Sequence, residues 1–235
     1  MNLPSIVTPT YKTTIPSSKK NVEYRPFLVK EEKMLLMALE SDDRDDLIRA
    51  IETIFNNCII TKDFDLKTLS SFDFEYLMLQ IRTKSVGESI DLSFTHNEND
   101  CGQVNDVNVN LDKINIIFDK NHDKKIMITD DIGIMMRYPG IRDINSFNLD
   151  NSEIDNIFSM FANCVDYVFD SEKIYNEFSK DEIISFLENL SQKQFESVVN
   201  FFQTMPKLKH EIKFKCKKCG MNVKTEVEGL QNFFT

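Results

Sequence analysis

The sequence predicts an α+β protein, mostly helical, with a small β subdomain. Three observations predict it. Six Gly and six Pro among 235 residues are roughly half the usual share, which disfavours turn-dense sandwiches, propellers and glycine-rich nucleotide loops. Apolar residues recur at helical spacing through most of 31–86 and 152–205, as in helices with one buried face. They alternate with polar residues only in shorter runs, 90–94, 107–111 and 212–214, the period of a half-buried strand.

Residues 1–30 hold Pro4, Pro9, Pro16 and Pro26 and show no helical period. Proline fixes φ and biases its predecessor to extended geometry, so this segment reads as an extended N-terminal arm or a short strand pair. A helical part follows over 31–87. EEKMLLMALE carries acids in its first turn, where the helix dipole favours them. Asp42 or Asp43 can cap a second helix with Leu47, Ile48, Ile51, Ile54, Phe55 and Cys58 on its apolar face. A third helix after Ser70-Ser71 presents Phe74, Leu77, Met78 and Ile81, with Gly87 as its stop.

The central β part, 88–145, opens with Ile90, Leu92 and Phe94 alternating with Asp91, Ser93 and Thr95. A second run, Val107, Val109 and Leu111, continues toward Ile114 and Ile116. KKIMITDDIGIMMRYP at 124–139 reads as a further strand and a turn whose pairing local sequence does not specify. A second helical part spans 146–208: Ser152 precedes Ile154, Ile157, Phe158, Phe161, Val165 and Val168 at helical spacing, with Cys164 on the same side. Ser179-x-x-Glu182 and Ser191-x-x-Gln194 are capping boxes opening two short helices, the second stopped by Pro206. A C-terminal hairpin, 209–235, is expected to pack on the central β part, so that 88–118 meets 210–228.

Composition excludes several functions. Lys and Arg number 28 against 38 Asp and Glu, a net charge of −10, and phosphate binding needs a clustered cationic surface, so a nucleic-acid partner is not expected. With 41% hydrophobic and 28% charged residues the chain can bury a core, built from Phe, Ile, Leu and Met in the absence of Trp. MLLMAL at 34–39 and VVNFF at 198–202 fall far short of the roughly 20 residues of a membrane helix. Residues 1–15 lack the basic start and apolar stretch of a signal peptide, so a cytoplasmic location is expected where the protein is made.

Chemistry concentrates in the cysteines. Five is an odd count without secretory context, which favours thiols or metal over a disulfide framework. Cys216-Lys217-Lys218-Cys219-Gly220 lies between two apparent strands, and two thiolates separated by two residues can face one metal ion. A second half-site is available at His96 and Cys101-Gly102, also between strands. IDLSFTHNENDCGQVNDVNVNL and IKFKCKKCGMNVKTEV share the β run, the Cys-Gly pair and a following Asn and β run. In that alignment Glu98 stands where a first-half Cys is expected. The β subdomain thus resembles a degenerate zinc ribbon, with His96, Cys101, Cys216 and Cys219 as a Cys₃His set for structural Zn²⁺. Two other readings stay open, a site that has lost its metal and a redox Cys-x-x-Cys, because Lys215, Lys217 and Lys218 lower thiol pKa for metal binding and redox work alike.

Cys58 and Cys164 fall on apolar helix faces and read as core. His122 and His210 read as surface histidines, although His210 could replace His96 as fourth ligand. The pairs Asp42-Asp43, Asp45-Asp46 and Asp130-Asp131 read as caps and solvated faces. No phosphate loop, nucleophile elbow, GxGxxG or His-Glu-x-x-His is present, so an enzyme is not expected.

TPTYKTTIPSSKKNVEYRPFLVKEEKMLLMALES, FDFEYLMLQIRTKSVGESIDL, the Cys101-Gly102 turn followed by NVNL, and MRYP at 136–139 resemble the baseplate protein family of T-even-type myophages. The resemblance implies a component or assembly factor of the baseplate hub acting by protein–protein contact, with hub proteins as partners and no catalytic residues. It implies residence in the host cytoplasm during assembly and allows the virion tail baseplate as a final location; no small-molecule substrate or membrane is implied. A different class, a zinc-ribbon adaptor touching nucleic acid or transcription machinery, is favoured only by the Lys cluster at 213–218. In RPFLVKEEK, Phe27 and Leu28 are expected to dock, with Glu31, Glu32 and Lys33 exposed. The terminal Phe233 and Phe234 are expected to dock onto the body of the protein.

Overall fold

A computed structural model of the chain describes residues 6–41, 44–144 and 152–229. They divide into two compact units: the first takes the chain up to Leu66, Asp73–Ile116 and the part from Leu208 onward, and the second takes Lys67–Phe72 and Ile117–Lys207. The sequence expectation about Phe233 and Phe234 falls outside the described residues.

In chain order the first unit begins with an antiparallel hairpin of β1 (Tyr11–Thr14) and β2 (Asn21–Tyr24). Buried Ile15 closes its turn, donating to the Lys20 carbonyl at 2.8 Å. Helix α1 (Val29–Glu40) follows, packed on α2 (Arg44–Cys58), whose Ala50, Ile54, Phe55 and Cys58 are buried. Helix α3 (Ser71–Val86) buries Leu77, Met78, Leu79 and Ile81, and Gly87 at φ 141° ends it in a backbone region that L side chains avoid. Strands β3 (Ser89–His96), β4 (Gln103–Asn110) and β5 (Asn115–Ile117) complete this stretch.

The RPFLVKEEK segment departs from expectation. Glu31 is 1% exposed: its carboxylate accepts from Arg25 Nη2 at 2.9 Å and from the Leu28 backbone N–H at 2.8 Å. A charge is tolerated there because the guanidinium and the orphan N–H of the helix start satisfy both oxygens. Glu32 and Lys33 are exposed, Phe27 is half-buried, and Leu28 is exposed.

In the second unit, β6 (Lys125–Met127), β7 (Gly133–Met136), β8 (Val165–Phe169) and β9 (Ile174–Tyr175) form an antiparallel sheet in that order. Helices α4 (Ile141–Ile144), α5 (Glu153–Asn163), α6 (Lys180–Glu188) and α7 (Gln192–Thr204) accompany it. Ser152 caps α5, accepting from Asp155 N at 3.1 Å, and the Ser179–Glu182 and Ser191–Gln194 boxes open α6 and α7. The core joins Ile134, Met136, Phe161, Leu187, Val198 and Phe201, with Phe161 stacked on Phe202 at 4.3 Å. The MRYP motif is internal packing. Arg137 binds Asp143 bidentately at 2.7 and 2.9 Å, Tyr138 meets Phe72 edge-on at 5.0 Å, and the Pro139 carbonyl accepts from Ser71 N at 2.7 Å.

The chain then returns to the first unit through β10 (Lys207–Lys215), which lies between β5 and β11 (Asn222–Glu228). The expectation of a mostly helical protein is therefore wrong. Helix takes 39% and strand 29%, with eleven strands in four sheets among the described residues. Two causes account for the difference. Strands of two to four residues such as β1, β6 and β9 are too short to show an alternation. Val165 and Val168, placed on a helix by their spacing, lie instead on β8: α5 stops at Asn163, and VDYVF is β-branched and aromatic, which suits a pleated surface better than a helix.

Candidate metal centre

Two antiparallel hairpins build the centre. In β3–β4, Ile90, Leu92, Phe94 and His96 share one face; in β10–β11, Leu208, Ile212 and Phe214 do. These apolar faces meet, with Phe94 stacked on Phe214 at 5.8 Å. The turn of each hairpin presents cysteine. Cys101 follows a single 3₁₀ turn, Glu98–Asp100, and Gly102 at φ 63° redirects the chain into β4. In the other turn Gly220, at φ 75°, donates to the Cys216 carbonyl at 3.0 Å while Cys216 N donates to Met221 O at 2.8 Å. Both turns need a backbone that L side chains rarely adopt, which explains the repeated Cys-Gly pair.

The structure brings together all four residues singled out from sequence. His96, Cys101, Cys216 and Cys219 each offer a ligand atom, these atoms lie within 4.8 Å of one another, and the group could hold a metal ion. Cys101 Sγ is 3.8 Å from Cys216 Sγ, and Cys219 Sγ is 3.4 Å from His96 Nδ1. His96, Cys101 and Cys216 are buried, Cys219 is exposed, and all are free thiols or imidazole.

The electrostatics suit a cation. The Cys216 thiol is held down at about 6, chiefly by the Cys219 backbone N–H, with the Lys218 N–H assisting against desolvation. The Met221 backbone N–H pulls the Cys219 thiol down, but desolvation and the Cys216 and Cys101 sulfurs outweigh it and push it up. The His96 imidazole is raised by hydrogen bonding to Cys101 and Cys216. Sulfurs crowded this closely repel as thiolates, and a positive ion among them removes the conflict. His96 Nε2 is buried with no hydrogen-bond partner, and Glu98 Oε2 is 3.7 Å from it. Glu98, which breaks the four-cysteine pattern, thus places a carboxylate near the histidine but beyond hydrogen-bond reach of it.

One residue at the centre escaped the sequence reading, which gives Lys218 only as a basic neighbour of the thiols. Asn105, 1% exposed, accepts the Lys217 backbone N–H at 2.9 Å and donates to Gln103 O at 3.0 Å, with its Nδ2 3.9 Å from Cys216 Sγ. Lys218 Nζ donates to the Cys101 carbonyl at 2.7 Å. The signal for Asn105 was a polar residue in step with Val107 and Val109 on the inner face of β4.

The remaining candidates lie elsewhere. Cys58 and Cys164 are buried, and burial pushes their thiols up to about 11 and about 12. His210 lies on β10 opposite Val227 and is not a member of the four-residue group. His122 is not a plain surface residue: it is half-buried between Tyr138 and Phe201, with Nδ1 3.0 Å from Thr204 Oγ1, and desolvation lowers its pKa. Asp42 and Asp43 are outside the described residues, as is the Asp45 side chain; Asp46 pairs with Arg49, and Asp130 and Asp131 are exposed.

Among the described residues no helix is long and apolar enough to cross a membrane. No curated protein and no solved structure matches the chain. Residues 8–235 match the family model described as T4 bacteriophage base plate protein, a match that takes in both hairpins and the second unit, and the chain belongs to that family.

Proposed function

We propose that this baseplate protein serves in building the central hub, binding hub subunits in the host cytoplasm without catalysing a reaction, and that its Cys₃His centre holds structural zinc. The observation that carries the zinc reading is the spacing of the ligand atoms. Zinc sits roughly 2.3 Å from sulfur and roughly 2.0–2.1 Å from nitrogen, so a tetrahedron has edges of roughly 3.8 Å between sulfurs and roughly 3.5 Å between sulfur and nitrogen. Cys101–Cys216 and Cys219–His96 match these edges at 3.8 and 3.4 Å, and all four ligand atoms lie within 4.8 Å of one another. Four protein ligands fill a tetrahedral shell, which favours a structural site over a catalytic one that keeps a position for water or substrate. Such an ion fastens hairpins whose cysteines are 115 residues apart, where closing a long loop gives the largest gain.

The hub reading is supported by membership of the family and by the sequence motifs that resemble it. A phage lacking this gene should form baseplate wedges but no complete hub, and the purified protein should co-elute with a hub subunit. Normal hubs in its absence would remove the assignment.

A further inference from the structure

The sulfurs of the candidate centre differ in their access to solvent. Cys101 and Cys216 are 8% and 2% exposed, whereas Cys219 lies at the surface. A thiol exchanges with a dissolved disulfide only where the two can meet, so Cys219 is the point at which an oxidant first touches the group. Behind it the sulfurs are already close. Cys101 Sγ and Cys216 Sγ are 3.8 Å apart, and Cys219 Sγ lies within 4.8 Å of both. A disulfide bond is about 2.05 Å long, so Cys101 and Cys216 can bond once each sulfur moves by roughly 1 Å. The three sulfurs thus run from solvent to a buried pair that bridges the two hairpins, its members 115 residues apart in sequence.

We propose that a small disulfide such as oxidised glutathione enters at Cys219 and exchanges the ion of this centre for a Cys101–Cys216 disulfide, so that metal and disulfide are alternative clasps on the same two hairpins. The exchange rests on the zinc reading above, since the oxidant consumes zinc ligands. As ligands the sulfurs are thiolates, and the steps balance without proton transfer. Cys219 Sγ attacks oxidised glutathione, forms a mixed disulfide and expels one glutathione thiolate. Cys216 Sγ attacks Cys219 Sγ and expels the second. Cys101 Sγ then attacks Cys216 Sγ and frees Cys219 as a thiolate. Two cysteines are oxidised, one glutathione disulfide is reduced to two thiolates, and Zn²⁺ is released because two of its four ligands are spent. Any bond to Cys219 stays open to attack by thiols from solution, whereas Cys101–Cys216 is out of their reach, so exchange drains toward the buried pair. The exchange has its occasion wherever a baseplate protein passes from the reducing cytoplasm into an oxidising medium.

The test treats the zinc-loaded, full-length chain with excess oxidised glutathione. Zinc release is followed with a chromophoric chelator, and disulfides are mapped by mass spectrometry after the remaining thiols are alkylated. Zinc should be released in step with a Cys101–Cys216 crosslink, while Cys58 and Cys164, buried and outside the four-residue group, should remain thiols. Dithiothreitol supplied with zinc should restore the starting state. In chelator-treated protein, Cys219→Ser should slow formation of the crosslink at least about tenfold, a rate measured without metal so that the variant's zinc affinity does not enter. Zinc retained under oxidation, or a final disulfide that includes Cys219, overturns the exchange and leaves the zinc reading standing. A crosslinking rate unchanged in Cys219→Ser overturns entry at Cys219 and the proposal with it. Protein that takes up no zinc at all removes the zinc reading itself, and the exchange falls with it.

Discussion

Asn105 Oδ1 accepts the backbone N–H of Lys217 at 2.9 Å, a single bond that joins two hairpins 112 residues apart in sequence. Both partners belong to the metal centre, because Asn105 also approaches Cys216 Sγ and Lys217 lies inside the Cys-x-x-Cys turn. Replacing Asn105 with Leu keeps the burial and removes the amide. Outer-shell partners of this type typically cost about 10–100-fold in metal affinity when lost, and competition with a chromophoric chelator should show a loss in that range. Affinity unchanged from wild type would reduce Asn105 to a packing residue.

Protein purified without chelator should contain one zinc per chain, measured by elemental analysis. Cys216→Ser with Cys219→Ser should abolish it and lower the melting temperature, since structural zinc contributes on the order of 10 kcal/mol of apparent binding energy. Zinc uptake should release protons, because the ligands bind as thiolates, and the apparent affinity should fall as pH is lowered. A metal-free protein whose melting is indifferent to the double substitution would select the reading in which the metal has been lost.

The Arg137–Asp143 pair makes the second unit sensitive to acid. Burial would raise the Asp143 carboxyl, but the bidentate Arg137 and the Gly140 N–H outweigh it and hold its pKa below the ordinary value. A carboxylate depressed on folding contributes stability that is complete above the unfolded value of about 3.9 and is lost as pH falls through the lower folded value. Melting followed from pH 7 downward should therefore fall off below about pH 4, and Asp143→Asn should be less stable at neutral pH and flatter across that window.

Glu31→Ala should destabilise the first unit by about 3 kcal/mol, the usual cost of stripping one partner from a buried ion pair. Arg25 and the Leu28 N–H lose their acceptor together, so the loss should exceed that of Glu32→Ala on the exposed side of the same helix. Equal effects in urea titrations would contradict the burial of Glu31.

The cysteines of the candidate centre were legible because their chemistry is local: Cys216 and Cys219 are separated by two residues, and the glycines after Cys101 and Cys219 mark the turns that aim the sulfurs. The capping boxes at Ser179 and Ser191 were legible for the same reason, since all their partners lie within three residues. What escaped depends on distant contacts. Glu31 looks like any acid in a first turn until Arg25 folds over it. Val165 and Val168 keep helical spacing with Phe161, and only pairing with Ile134 and Met136 makes them strand residues. Asn105 reads as an interruption of β4 until Lys217 arrives from the far end of the chain.

That arrival has a consequence for synthesis. The second unit lies between the two halves of the centre in sequence, so a ribosome completes its segment while His96 and Cys101 wait without partners. Domains fold as they emerge, at roughly 5–20 residues per second, which leaves the early hairpin with half a site for several seconds and the late hairpin to finish it. A chain interrupted anywhere between Cys101 and Cys216 can never assemble the four-ligand set. An ion that needs all four residues would therefore be held only by chains synthesised past Cys219.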